Sequence, residues 1–332
     1  MIRDSLGREL RDLRISVTDR CNFRCSFCMP DGHQYEFFPK EEILTFEEIT
    51  RVVKVSKSLG VRKVRITGGE PLLRRDIEKL ISMISPFVED VSLTTNGFLL
   101  KEKASSLKEA GLKRVTVSFH SLRDEVFSAL VGRSVRVAHI LEGIEEAIKV
   151  GLTPVKVNVC VVKGINDDEI LSIAKFFKDM GVVVRFIEFM DVGNLNGWSL
   201  DKVVSAQEIV NTIAQHMKIR PIGRSYRGET ALRYVYEDDG REFGVIASVT
   251  QPFCGDCNRL RLTADGKLLT CLFATDGHDI KKLLRMGASD EELAEFIVEV
   301  WQGRKDRYSE ERLLLLQKGS VPRKVEMFKV GG

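Results

Sequence analysis

No stretch of this chain approaches the ~20 consecutive apolar residues of a membrane span, and the opening segment, MIRDSLGREL, has no apolar core of the kind a secretory leader needs. Both absences predict a cytoplasmic protein with no membrane partner. Cysteine is scarce and odd in number: there are seven in 332 residues, six of them in two tight triads, with Cys160 left over. That pattern suits metal ligation in a reducing compartment better than a disulfide framework. An excess of one charge is also missing, since 51 Lys and Arg against 48 Asp and Glu leave a net +3. So small a surplus does not mark a nucleic-acid binder, and any anion site has to be local. Internal repeats, low-complexity tracts and Pro- or Gly-rich linkers are absent too, so the parts of the chain are expected to pack closely.

What is present first is Cys21-Asn22-Phe23-Arg24-Cys25-Ser26-Phe27-Cys28, three thiols inside eight residues, directly after a strand-like run from Leu13 to Val17. Three thiolates on one turn serve zinc, which usually takes four protein ligands, or a cubane iron-sulfur cluster with one iron corner left open. An open iron is where a small molecule can bind and exchange electrons, so an incomplete set points to chemistry more than to structure. The spacing also admits a zinc knuckle closed by His33. A second triad, Cys254, Cys257 and Cys271, has the spacing C-x2-C-x13-C. Taken alone it suits zinc, with His278 as a fourth ligand. Arg259 and Arg261, one residue apart beside it, project to the same side of an extended chain. A solvated surface strand would satisfy that pair as well.

Short β-branched runs alternate with longer helical patterns as far as Glu188, with strands expected near Leu13 to Val17, Lys63 to Thr67, Val91 to Thr94, Arg114 to Ser118, Val155 to Val161 and Val182 to Glu188. Such alternation predicts parallel strands covered by helices, in a doubly wound sheet or a barrel. Side-chain parity within the strands is more informative. In Val155 to Val161 every odd position is valine, while the even ones are Lys156, Asn158 and Cys160. One face of each strand must meet helices, so the polar set has to face inward. The same split places Arg14, Lys63, Arg65, Thr94, Ser118 and Arg185 on the inner face. Five basic groups there, Arg14, Lys63, Arg65, Lys156 and Arg185, would be costly to desolvate without anionic partners. A polyphosphate would supply them, as would Asp and Glu from loops.

After Gly193 the alternation stops: a helix is expected from Ser205 to Met217, short strands from Arg220 to Val249 with a turn at Asp238-Asp239-Gly240, and helices from His278 to Gln317. Two units are expected, 1–218 and 219–332.

C-x3-C-x2-C with Phe27 before the last cysteine, followed by Gly68-Gly69-Glu70-Pro71, resembles the radical S-adenosylmethionine enzymes. Leu13 to Pro30, Val64 to Arg75, Arg185 to Asn194 and Cys254 to Phe273 are similar, more narrowly, to the family of GTP 3',8-cyclases of molybdenum cofactor biosynthesis. The resemblance runs from Arg11 nearly to the last residue. It implies an α/β fold, a partial (β/α)6 TIM-like barrel followed by a C-terminal α+β unit, with a [4Fe-4S] cluster on each triad and S-adenosyl-L-methionine as cofactor. It implies GTP contacts at Arg14, Arg65, Thr94, Lys156, Arg259 and Arg261, and S-adenosylmethionine contacts at Phe27, Gly69, Ser118 and Met190. It further implies insertion of the Gly331-Gly332 tail toward the site, an electron donor, transfer of the product to the next enzyme of the pathway, and a monomer or homodimer. Phe27 stands where many members have tyrosine, and Phe119-His120 where Leu-Asp is common, which leaves the role of His120 open. The residues themselves also admit a two-cluster radical enzyme acting on a peptide, or a zinc-stabilised RNA-binding module.

Overall fold

The computed structural model, which describes residues 2–332, gathers its strands into one twelve-stranded sheet. At its centre are the six strands that the alternation predicts: β1 (Asp12–Ser16), β2 (Lys63–Thr67), β3 (Asp90–Thr95), β4 (Arg114–Ser118), β5 (Lys156–Val161) and β6 (Val183–Glu188). Each runs parallel to the next. Parallel neighbours need crossovers, and helices such as Phe46–Ser58, Leu100–Glu109, Val137–Lys149 and Ile170–Asp179 provide them. The first of these shows why the segments are helical. Thr45 and Glu48 close a capping box at its start, and Ile49, Val52, Val53 and Ser56 recur at helical spacing on its buried face.

The later strands do not build a sheet of their own. They are β7 (Ile219–Pro221), β8 (Leu232–Tyr236), β9 (Glu242–Ile246), β10 (Arg259–Leu262), β11 (Lys267–Leu269) and β12 (His278–Asp279). β9 pairs parallel with β6, and β10 pairs parallel with β1 at the opposite edge, so eight strands run parallel in the order β10-β1-β2-β3-β4-β5-β6-β9. Antiparallel pairing with β11, β12, β8 and β7 finishes the two sides. A six-stranded partial barrel would leave the backbone groups of β1 and β6 unpaired at its edges. The C-terminal strands fill both vacancies, and this continuity was not visible in the sequence.

Parity holds throughout. Leu13, Ile15, Val64, Ile66, Leu93, Val117, Val157, Val159, Val184 and Phe186 are buried in one core with the helices, which leaves their polar alternates on the inner face. Each such side chain contributes about 1.5–3 kcal/mol when buried, and a one-residue slip would forfeit all of them in a strand at once.

Two helices escaped the sequence reading: the short Met327–Val330 near the C-terminus, and Asp124–Val131, which lies in the β4–β5 crossover ahead of Val137–Lys149 and ends at Gly132, with φ +60°. The consequence of Asp124–Val131 for the first triad is direct.

Candidate active site

The last carbonyls of a helix have no partner within it. Here those of Leu130 and Val131 accept the N–H groups of Ser26 (2.9 Å) and Arg24 (2.8 Å), which fastens the first cysteine loop to the helix end. Within the loop, Cys28 and Met29 donate to the carbonyl of Cys25 at 3.0 and 2.9 Å, a turn that brings Cys25 and Cys28 together. On the other side, Gly69 N–H donates to Thr18 O at 2.7 Å and Glu70 N–H to Arg20 O at 2.8 Å. A Cβ at Gly69 would stand 2.4 Å from Arg20 O, so no other residue fits that turn. Glu70 is buried, and its carboxylate accepts from Leu72 N, Thr95 Oγ1 and Asn96 N. Burial nevertheless pushes its pKa up to about 7. Burial also raises all three thiols. Cys21 is pushed to about 11, and Cys25 and Cys28 rise further, helped by the charges of the neighbouring thiols.

The second triad is assembled by a hairpin. Cys257 precedes β10 by two residues and Cys271 follows β11 by two, so the antiparallel pair returns both to one end, where Cys254 sits one turn away. Because β10 runs parallel to β1, that end lies at the start of β1, whereas the first triad follows its finish. The two triads thus face each other along the strands, and both line one cavity with about 1810 Å³ of atom-free space, mouth included. Another opening, of about 1520 Å³ by the same measure, lies behind Cys271. Of the residues singled out from the sequence it touches only Cys271 and His278, so we place the chemistry in the first.

Arg14, Arg65, Thr94, Ser118, Arg185, Arg259 and Arg261 line the cavity between the triads, with Phe27, Gly69, Met190 and Gly332. Lys63 and Lys156 line an adjoining recess at the start of the strands, where Arg14, Arg65, Arg185 and Arg259 also reach. Arg259 and Arg261 are 6% and 4% exposed, so their strand is no surface strand. Among the described residues, none of these seven cations has a carboxylate within the 4.0 Å of an ion pair. Arg114, inward at the foot of β4, is different, since Asp90 neutralises it through two contacts. Loop carboxylates therefore do not answer the seven. Arg185 makes do with Asn158 Oδ1 at 2.9 Å, and Arg65 with Thr94 Oγ1 at 3.5 Å. Burial and mutual repulsion lower the pKa values of several of them: Lys156 to about 7, Arg185 to about 9, Arg261 to about 10, and Arg14 well down. A cavity that weakens its own cations in this way gains by taking in an anion.

The chain's end enters this space. Val330 is fully buried, Gly331 O accepts from Arg261 Nη1 at 2.8 Å, and a Cβ at Gly331 would come 2.4 Å from Thr67 Cγ2. Upstream, Asp191 holds the strap: its carboxylate takes Arg312 Nε and Lys324 Nζ, both at 2.7 Å, and the Tyr308 hydroxyl.

Two residues stay outside these sets. Cys160 belongs to neither triad, and burial pushes it to about 12. His120 Nδ1 accepts from Cys160 N–H at 3.2 Å, its ring meets Phe27 edge-on at 4.6 Å, and burial keeps it neutral by pushing its pKa down to about 3. Sequence reasoning missed Asn96, whose amide approaches Cys21 Sγ and Asn22 Oδ1, although it lies two residues after the inward Thr94, just past the end of β3. It also missed Arg304, which bonds Cys257 and carries no signal in the sequence.

The thiols fit iron-sulfur clusters. All six are free and half-buried. Among the described residues no three His, Cys, Asp or Glu side chains converge on one ion-sized point, and His33 and His278 are exposed. Two sets of three soft thiolate donors, all lining the one cavity, match the three protein ligands of a cubane with an open iron.

The family models that match are the radical SAM superfamily over residues 15–177 and Molybdenum Cofactor Synthesis C over residues 182–310. The chain is 54% identical to a GTP 3',8-cyclase of Aquifex aeolicus over 334 residues, all of both chains, and 49% identical to one of Staphylococcus aureus over 337 residues, all of this chain and 99% of that one. Among solved structures it is similar to Streptococcus suis SuiB bound to S-adenosylmethionine, with TM-score 0.59 and 15% identity over 88% of this chain and 64% of that one. It is also similar to methylornithine synthase, with TM-score 0.50 and 20% identity over 62% of each. At these identities the structures speak for the fold alone.

Proposed function

The chain belongs to the GTP 3',8-cyclase family of radical S-adenosylmethionine enzymes, and from that premise we propose how its cavity is used. The reaction turns GTP into (8S)-3',8-cyclo-7,8-dihydroguanosine 5'-triphosphate, the first step of molybdenum cofactor biosynthesis. Two [4Fe-4S] clusters and S-adenosylmethionine, when bound, supply the one-electron chemistry that removes the ribose 3' hydrogen and lets C3' join C8 of the base.

The protein's share is to bind, orient and shield. Cys21, Cys25 and Cys28 hold one cluster; Cys254, Cys257 and Cys271 hold the other. Gly69 backbone, Phe27, Ser118 and Met190 surround S-adenosylmethionine beside the first triad. Arg14, Lys63, Arg65, Lys156 and Arg185 take the triphosphate, with Thr94 fixing Arg65. Arg259 and Arg261 lie between the phosphates and the second triad, and Arg261 also carries the Gly331 tail to the reacting groups. The observation that carries this reading is the set of seven cations, unmatched by carboxylates among the described residues, that line the cavity between two incomplete thiol triads and the recess adjoining it. An acidic or neutral groove would favour a peptide, and none lies between the triads. An electron donor and a downstream enzyme that takes the product are its partners, in the cytoplasm, with the chain acting as a monomer or homodimer. No helix among the described residues is long and apolar enough to cross a membrane.

The test is anaerobic reconstitution followed by incubation with GTP, S-adenosylmethionine and a strong reductant. The expected result is about eight irons with matching sulfide per chain, and cyclised nucleotide formed together with 5'-deoxyadenosine. Stoichiometric zinc without labile sulfide, and no turnover, would overturn the reading.

A further inference from the structure

Arg304 lies two residues beyond the helix Asp290–Gln302 and is almost wholly buried. Its guanidinium meets Cys257 twice: Nη1 donates to the carbonyl oxygen at 2.7 Å and Nη2 to Sγ at 3.0 Å. The group is built in for that contact. It lies over the Trp301 ring, 4.7 Å from guanidinium carbon to ring centre, while Asp306 flanks Nε at 3.6 Å and Asp4 flanks Nη1 at 3.8 Å. Arg8 fastens the same loop from the other end of the chain, donating to Cys254 O at 3.0 Å and Asp306 O at 2.8 Å.

Among the described residues no side-chain cation donates to a sulfur of the first triad, where Arg24 Nη1 reaches the Cys21 carbonyl oxygen instead, at 2.9 Å. Cys21 Sγ receives the Phe23 N–H at 3.4 Å and the Asn96 amide at 3.9 Å, both neutral.

Hydrogen bonds to cluster sulfurs, and positive charge near them, favour the reduced form because it carries one more negative charge. We propose that Arg304, by donating to the Cys257 thiolate, holds the C-terminal cluster at a higher reduction potential than the cluster on Cys21, Cys25 and Cys28. The inference rests on the two-cluster reading above. It divides the labour: the triad without a cationic donor keeps the more reducing cluster, as cleavage of a sulfonium demands, and the triad with one keeps a cluster that need only hold substrate. Arg304 is a positioning and tuning residue and touches no reacting atom.

The test is a redox titration followed by electron paramagnetic resonance, on reconstituted full-length protein, with the signal fitted to two clusters. A Cys21→Ala, Cys25→Ala, Cys28→Ala background isolates the C-terminal signal. Arg304→Gln should move the C-terminal midpoint to more negative potential, by about a tenfold change in the reduced-to-oxidised ratio at fixed potential, or ~59 mV for one electron. The N-terminal midpoint should stay where it is. Arg304→Lys, which keeps the charge but loses the two-point contact, should fall between Gln and the native protein. An unchanged C-terminal midpoint with both clusters present overturns the proposal, as does a shift shared equally by both clusters. Loss of the C-terminal cluster in both variants would also overturn it, since Arg304 would then be needed to hold the thiolate and not to tune it. Zinc in the second triad of the native protein would instead strike at the two-cluster reading, and metal analysis separates that outcome from the others.

Discussion

The two cysteine triads contain the same donors but come about in different ways. The first lies within eight residues of one loop and is fastened by backbone: helix-end carbonyls on one side and the Gly68-Gly69-Glu70 turn on the other. The second spans eighteen positions of sequence, is closed by a hairpin, and is tied by Arg8 and Arg304 from opposite ends of the chain. The comparison teaches that a local loop can place three thiols by itself, while a dispersed triad depends on tertiary ties, and those ties bring charge with them. Among the described residues the sulfurs of the first site receive only neutral donors, whereas Cys257 Sγ of the second receives a guanidinium.

The largest effects come from breaking either triad. Replacing any one of the six thiols by serine should abolish cyclisation and halve the iron, from about eight to about four per chain. The two sites then part ways. Variants of Cys21, Cys25 or Cys28 should lose formation of 5'-deoxyadenosine altogether, and variants of Cys254, Cys257 or Cys271 should keep a residual amount uncoupled from GTP. Equal behaviour in that chromatographic assay would erase the functional difference between the triads. Cys160→Ser should leave the iron content unchanged.

Next in size is the tail. Removing Gly331 and Gly332 should stop cyclisation while both clusters and nucleotide binding stay largely intact, because the tail reaches Arg261 and Thr67 without supplying any thiol. Full turnover by the truncated protein would show that its position in the cavity has no bearing on the reaction.

The basic lining between the triads offers a graded test. Arg14→Ala, Arg65→Ala and Lys156→Ala should each weaken GTP binding by ~1.5 to 3 kcal/mol, about tenfold to a hundredfold, and weaken guanosine binding far less. Val157→Ala, on the opposite face of β5, should cost about 1–3 kcal/mol of stability through lost packing and leave the preference for GTP over guanosine nearly unchanged. Calorimetric titration of both ligands decides it: equal losses for GTP and guanosine would mean these side chains do not hold the phosphates.

The smallest expected effect is a proton. Burial, then Arg185, Arg114 and Arg65, bring Lys156 down to about 7. Between that pH and the usual lysine value the unfolded chain binds more protons than the folded one, so this group's penalty on stability is full below pH 7 and is relieved as pH rises. A triphosphate reverses the shift. At pH 8, GTP binding should therefore take up a fraction of a proton, seen as a dependence of the binding heat on buffer ionisation, and its affinity should fall by at most about tenfold per pH unit above 7. Lys156→Ala should lose both effects. A GTP-binding heat indifferent to buffer in the native protein would mean that Lys156 stays uncharged on binding or lies away from the phosphates.

Local chemistry made much of this legible in advance. Six strands and their helices follow from periodicity, because each valine or isoleucine face must be buried, and the same parity placed Arg14, Lys63, Arg65, Lys156 and Arg185 on the inner face before any coordinates were known. The first triad and the Gly68-Gly69 turn were legible because each lies in a few consecutive residues. The Asp124–Val131 helix was missed although Gly132 marks its end, since only contact with Arg24 and Ser26 shows what that end is for.

What the sequence by itself determined, then, is the set of residues that must face inward, through an energy of burial that alternates along each strand. Tertiary structure alone decided that β9 and β10 complete the edges of the barrel, that Cys257 and Cys271 meet across a hairpin, that among the described residues no carboxylate pairs with seven of the inner cations while Asp90 takes Arg114, and that Arg304 reaches a ligand sulfur. These depend on which distant segments satisfy unpaired backbone and buried charge, and no pattern within a short stretch of chain encodes that partner.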